Sequence, residues 1–273
     1  MKLRVWLIYR RLYGTGLPNQ AYWGPDIAEL DQWGKIPESY NGLVPFTLAD
    51  DVFKTKIAQK FRIIVEKAYS ILGNKLKWVS PVLTSTSEWG NDVSGSNWYQ
   101  VNDNWVSNNY LTTYSYNSKN ISKFQQFVLS KYQNLAGINT AWQTNYSNIN
   151  EVQLPTTGIA YNNGAGHAED EHRIAYVGQK GYDFYCFRSN KLFVFAQELK
   201  TQLKSVSNDI VFACECGGFS FNLGLLQCTY NINEIESVFD LIKGSSGSYD
   251  SCLNPSEGYD ISMFAILLKL QMN

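Results

Sequence analysis

The sequence has 273 residues, 44% of them hydrophobic and 17% charged, with a formal net charge of −1. That length supports a sizeable core in one large domain or two small ones. The near-neutral charge, with no basic stripe, argues against nucleic acid as the main partner. No run of about 18 apolar residues occurs, so no membrane-spanning helix is expected. Aromatic residues reach 15%, with 8 Trp and 18 Tyr. They suit a bulky core, the simpler reading on composition, or a cleft whose rings stack on the flat C–H faces of sugars. Five cysteines, Cys186, Cys214, Cys216, Cys228 and Cys252, are odd in number and lack a repeating spacing, so no disulfide framework is expected. Cys214 and Cys216 lie two apart, share a face on a strand and read as packing. No Cys/His set has metal-ligand spacing.

In chain order, the apolar run at 3–9 predicts a buried strand, and the N-terminus lacks the small-residue cleavage site of a signal peptide. Residues 11–49 read as long and irregular. A helix is expected from about Asp50 to Tyr69, with Asp50 as its cap and Phe53, Ile57, Phe61, Ile64, Val65 and Ala68 at helical spacing. Gly73-Asn74 turns the chain into a strand at 76–83. Residues 90–118, rich in Asn, Ser and Tyr, read as a long surface loop. A helix near 120–133 carries Phe124, Phe127, Val128 and Tyr132 on one side. Another over 181–205 turns Phe184, Leu192, Phe195, Ala196, Leu199 and Leu203 inward. Strands follow at 209–215 and 238–243, around a short helix at 231–237, and a last helix is expected at 256–272. This alternation predicts a parallel sheet with helical crossovers. No Gly-rich phosphate loop follows a strand, which leaves the (β/α)8 barrel as the common option.

Glu88 lies just past the end of the 76–83 strand, in the stretch KWVSPVLTSTSEWGND. Barrel enzymes place catalytic groups at such ends. Glycosidic cleavage needs a carboxylic acid to protonate the leaving oxygen, and an apolar neighbour such as Trp89 favours the protonated form. The plainer reading is a Glu that caps a loop or pairs with a lysine. Glu215 ends the 209–215 strand and is followed by Gly217-Gly218, where a ligand could approach the backbone. It reads equally as a substrate-contacting or catalytic carboxylate, or as a Glu buried beside Arg4 or Arg10. HAEDEH (167–172) suggests a metal site, but histidines five apart fall about 140° apart round a helix; a solvated helix start is the better reading. Asn120-Ile-Ser and Asn145-Tyr-Ser are glycosylation sequons, a pattern that is common by chance.

Residues 127–155, FVLSKYQNLAGINTAWQTNYSNINEVQLP, carry a more specific signal. Lys131-Tyr132 ends a helix, Ile138-Asn139-Thr140-Ala141-Trp142 follows, then Tyr146-Ser147 through Val152, and Pro155. The next helix opens with Asp183-Phe184 and runs to Phe187-Arg188. These blocks resemble the glycoside hydrolase family 42 β-galactosidases and related clan A glycosidases, as do residues 216–243. The resemblance implies a (β/α)8 barrel, here incomplete, with strands three to six at 3–9, 76–83, 209–215 and 238–243 and a long excursion after strand four. It implies retaining hydrolysis of a β-glycosidic bond, with Glu88 in the position of the acid/base. Ser87 stands where the clan has Asn, a residue that contacts the sugar 2-hydroxyl. The clan's nucleophile, a Glu ending strand seven, has no counterpart. Trp89, Trp98 and Glu215 are candidate sugar contacts, while Trp142 and Tyr132 read as packing. No cofactor or metal is implied, and the partner is a carbohydrate. The chain is expected to form a single partial barrel domain over 1–273, prone to self-association through open sheet edges and inactive as a fragment. The alternative is a non-catalytic carbohydrate-binding barrel.

Overall fold

The computed structural model describes residues 1–6, 9–10, 27–30, 34, 43–44, 46–83, 89–90, 97–101, 104–108, 115–156, 158–160, 174–216 and 232–244. The chain opens with β1 (Lys2–Trp6), β2 (Tyr9–Arg10) and β3 (Leu43–Val44), then α1 (Asp51–Leu72) and β4 (Trp78–Val82). Next come β5 (Asn97–Val101), β6 (Asn104–Asn108), α2 (Ser118–Tyr132), α3 (Leu135–Trp142), β7 (Ile159–Ala160) and β8 (Ile174–Ala175). The last described elements are α4 (Gly178–Val206), β9 (Val211–Cys216), α5 (Ile232–Val238) and β10 (Leu241–Gly244).

The main sheet has the order β1-β4-β9-β10, and each neighbouring pair is parallel. These are the four strands expected from the apolar runs, with shifted ends. Within the expected 3–9 run, β1 is described as far as Trp6, and Tyr9–Arg10 pairs antiparallel with Leu43–Val44. The last strand starts at Leu241 rather than 238, since Val238 still belongs to α5. The 90–118 stretch is more than a surface loop: it holds the β5–β6 hairpin, and both Ser115 and Asn117 are buried. The expected helix at 256–272 and HAEDEH lie outside the described residues.

Helix α1 forms where expected because both ends are satisfied. The Asp50 carboxylate accepts from the Phe53 N–H at 2.8 Å, filling one of the unpaired donors of the first turn. The far end stops at Gly73, whose φ of 53° suits a residue without a Cβ. Phe53, Ile57, Phe61 and Val65 are buried at four-residue intervals. Ile64 is a correction: it is 44% exposed. Eleven residues on from Phe53, it shares that residue's flank of α1, which is covered at Phe53 and open at Ile64.

Helix α4 has 29 residues and is about 43 Å long. Its C-terminal half buries Leu192, Phe195, Ala196, Leu199 and Leu203 against the sheet and α1, with Val5, Val79, Phe212 and Cys214 on the strand side. Its N-terminal half buries Phe184, Tyr185 and Phe187 in a second cluster with Phe124 and Val128 of α2, Ile138 and Trp142 of α3, and Val152 and Leu154. Among the described residues no helix is long and apolar enough to cross a membrane.

Candidate active site on the Glu215 face of the sheet

Side chains alternate along a strand. Val5, Val79, Phe212 and Cys214 point into the helix-packed core, so Lys2, Arg4, Ser80, Val82, Ala213 and Glu215 belong to the opposite face. The parallel register sets Lys2 beside Trp78 and Arg4 beside Ser80. On this face Glu215 meets both cations of β1, reaching across β4. Arg4 donates through Nε to Oε1 at 3.1 Å and through Nη2 to Oε2, and Lys2 Nζ pairs with Oε1. Lys2 also lies 5.2 Å from the centre of the Trp78 ring, within cation–π range. The Glu215 side chain is 4% exposed and that of Arg4 40%. Burial pushes the Glu215 pKa up, but the hydrogen bonds and charges of Arg4 and Lys2 outweigh it and hold the carboxyl below its ordinary value. Glu215 therefore stays ionised at neutral pH and is no proton donor. The structure shows Glu215 in a buried ion pair with Arg4 and Lys2. Between β1 and β9, the buried Ser80 hydroxyl has no hydrogen-bond partner among the described residues.

Beyond β4 the chain is described again at Trp89. Its N–H donates to the Glu215 carbonyl at 2.6 Å, tying the segment after β4 to the end of β9. Its ring is fully buried, stacked on Phe195 at 6.2 Å and edge-on to Phe239 at 5.5 Å. The ring faces the helix-packed core and offers no surface to a sugar in this structure. Glu88, the residue before it, lies outside the described residues. Trp98 is placed by its backbone only, in β5 opposite Ser107. The structure thus brings Trp89 and Glu215 together.

A second polar centre, which the sequence reading did not single out, is Asp183 in the first turns of α4. Its carboxylate receives Lys131 Nζ at 2.6 Å, Tyr132 OH at 2.7 Å, Trp142 Nε1 at 2.8 Å and Gln179 Nε2 at 3.0 Å. Burial raises its pKa, yet these donors outweigh burial and keep it below the usual Asp value. The Lys-Tyr pair, the Ala-Trp block and the Asp-Phe helix start, separate in sequence, are the parts of one joint. It fixes α2 and α3 to α4 and touches neither Glu215 nor Trp89, so the packing reading of Tyr132 and Trp142 stands.

A third centre joins α2 and α4 to residues 27–30 and 46–49. Lys191 donates to Asn120 Oδ1 and to Ser115 Oγ at 3.0 Å, and Asn120 donates to Glu29 Oε2 and Thr47 Oγ1, each at 2.9 Å. Burial pushes the Glu29 pKa up, opposed by Lys191, Arg188 and the Thr47 and Asn120 hydrogen bonds. Asn120 is wholly buried there, so its sequon is closed in the folded chain, whereas Asn145 is exposed. Among the described residues no cluster of His, Cys, Asp and Glu has the arrangement of a metal site.

Comparison with known proteins adds three findings. The family model for glycoside hydrolase family 42, described as β-galactosidase, matches residues 98–245, more than half of the chain. Similar solved structures include the β-galactosidase of the psychrophilic Marinomonas ef1, at 16% identity, with 82% of this chain and 28% of that one covered and a TM-score of 0.52. The catalytic domain of the Paenibacillus polymyxa β-amylase is 14% identical, with 84% and 55% covered and a TM-score of 0.55. The β-galactosidase of the Antarctic haloarchaeon Halorubrum lacusprofundi is 12% identical, with 81% and 27% covered and a TM-score of 0.53. At such identities the likeness is one of fold. The chain spans between 27% and 55% of the length of these structures. No curated protein sequence matches.

Proposed function

This chain belongs to the glycoside hydrolase family 42 β-galactosidases, and from that premise we propose that it serves retaining hydrolysis of a β-glycosidic bond. The observation that carries the reading is the sheet itself. Four parallel strands follow one another in ring order with their helices in the same core, and Trp89 fastens the chain just past the second of them to the end of the third. That arrangement supports a (β/α)8 barrel in which they are strands three to six of a single domain, with the α2–α3 region as the excursion after strand four.

In this reading Glu88 protonates the leaving oxygen and then, as carboxylate, draws the proton from the attacking water. Trp89 holds the segment that carries it. Trp98 stacks on the sugar. Glu215 acts through Arg4, which it orients, and not as nucleophile: a carboxylate committed to two cations is a poor partner for an anomeric carbon. The nucleophile comes from a strand beyond these four, as the family pattern implies. The same commitment of Glu215 favours a second reading, sugar binding without turnover.

The test uses an activated 2-fluoro galactoside. The 273-residue chain should neither turn it over nor form an adduct with it at Glu215, and a covalent sugar on Glu215, mapped by mass spectrometry, would overturn this assignment. Where turnover is found, Glu88→Ala should depress it by about 100-fold or more for alkyl glycosides and far less for glycosides of acidic phenols, which leave without protonation. Equal, small losses on both would remove Glu88 from the acid/base role.

A further inference from the structure

Residues 153–156 and Gly158 face Val177 and the first turn of α4 across a cleft of about 790 Å³, within the roughly 300–1,000 Å³ of small-molecule sites. Both walls are fixed from behind. Leu154 is buried in the cluster that holds Phe124, Trp142 and Phe184. The Pro155 carbonyl accepts from Tyr116 OH, and the Val152 carbonyl accepts from Gln125 Nε2 at 3.0 Å. On the other wall Gly181 packs so closely on Tyr176 that a Cβ would stand 2.7 Å from its carbonyl oxygen, and the Tyr176 N–H donates to Tyr185 OH at 3.1 Å. Walls held in this way keep their shape before anything binds, which spares a ligand the cost of ordering them.

Leu154, Pro155 and Val177 give the cleft its apolar lining, and Gln153, Thr156 and Lys180 supply its polar side chains. Lys180 is the single ionisable residue that lines it. Its Nζ lies 3.4 Å from Tyr146 OH and 5.6 and 5.9 Å from the ring centres of Trp142 and Tyr146, so aromatic faces hold the ammonium. Among the described residues no carboxylate pairs with it. Lys131 is the contrast: it too lies over aromatic rings, but Asp183 answers its charge at 2.6 Å. An unanswered cation beside a preformed cleft that no acid lines favours an anionic group on the ligand.

We propose that this cleft binds an acidic saccharide. The apolar lining takes the C–H face of a sugar ring, Lys180 takes a carboxylate or sulfate ester carried by that ring, and Thr156 and Gln153 take neighbouring hydroxyls. The site is separate from the Glu215 face, since none of its lining residues belongs to the main sheet. It grips a part of the glycan other than the bond to be cleaved. That the ligand is a saccharide rests on the reading under Proposed function; that it is anionic rests on Lys180 and the cleft.

The test is calorimetric titration of the 273-residue chain with an oligogalacturonide, with an oligosaccharide of galactose 6-sulfate, and with the neutral galacto-oligosaccharide of the same length. At least one acidic ligand should bind roughly 10-fold or more tightly than the neutral one, and which of the two does so identifies the anionic group. High salt should shrink that preference. Lys180→Gln should erase it, and Lys180→Arg should keep it. Thr156→Trp, at an exposed position, should block the cleft to the acidic ligand. On the unaltered chain, hydrogen exchange should show the acidic ligand protecting the amides of Leu154 and Gly178–Gly181 while those of β9 stay as they were. No binding, equal affinity for the neutral ligand, a preference that survives Lys180→Gln, or protection at β9 instead would each overturn the proposal. Turnover enters none of these measurements. An inactive chain that binds the acidic ligand here supports the cleft and counts only against the hydrolytic reading, and an active chain that fails to bind it counts only against the cleft.

Discussion

Along α4, the C-terminal half sets Leu192, Phe195, Ala196, Leu199 and Leu203 into the sheet layer, and the N-terminal half sets Phe184, Tyr185 and Phe187 among α2, α3 and the segment 152–154. The sheet layer is held by backbone ladders and by the area of many aliphatic and aromatic side chains. Its stability is spread, and one truncation removes a fraction. The α2–α3 region has an eight-residue helix, a 15-residue helix and a cluster dominated by rings, with Phe124 stacked on Trp142 at 6.0 Å and edge-on to Phe184 and Phe187. It is closed by one buried carboxylate with four donors. Stability concentrated in so few groups makes this region sensitive to single changes, and the motif residues that define it in sequence are the ones that meet at Asp183.

The sharpest way to break this contrast is Asp183→Ala, which strands the donors of Lys131, Tyr132 and Trp142. It should cost about 3–5 kcal/mol. In hydrogen exchange the amides of α2 and α3 should lose protection while β4 and β9 keep theirs; equal loss in both would show that the regions unfold as one.

Gly181→Ala tests the same seam by sterics. A Cβ there would stand 2.6 Å from the Tyr176 carbonyl carbon, and the backbone must shift to admit it. A loss of about 1–3 kcal/mol is expected in urea melts, with wild-type stability as the result that would deny a tight seam.

The two buried carboxylates should respond oppositely to pH. Asp183 binds its proton less readily folded than unfolded, so its contribution is full above the ordinary value of 3.8 and is lost as pH falls below it through the lowered folded pKa. Asp240, held at about 2 against burial by Lys200, the Phe212 N–H and Lys204, behaves alike between 3.8 and about 2. Glu29 binds its proton more readily folded, so its ionised form is a burden above the raised pKa that disappears as pH falls toward 4.5. Asp183→Asn should flatten the acid limb of stability against pH, and Glu29→Gln should flatten the slope above 4.5; the reverse pattern would contradict both assignments.

The smallest effect belongs on the surface. Arg62 and Glu66 pair at 3.4 Å with both side chains nearly half exposed, and Arg62→Ala should change the midpoint by less than about 0.5 kcal/mol. A larger loss would mean that the exposed side of α1 is doing more than meeting water.

The sequence by itself determined the four parallel strands, helices α1, α2 and α4, the Asp50 cap and the family, because each is written in local periodicity, end signals or contiguous motifs. It also marked Glu215 as a strand-end carboxylate and left two readings open. The tertiary structure decided what Glu215 meets: Arg4 is 211 residues away in sequence, and only the strand order β1-β4-β9 brings them across β4. It decided that Lys131, Tyr132, Trp142 and Gln179 converge on Asp183, that Ile64 is exposed, that Trp89 faces the core, and that part of the polar 90–118 stretch pairs as a hairpin. Spacing along a chain reports which face of an element is apolar; which elements then share that face, and which charges meet across it, depends on packing between residues far apart in sequence.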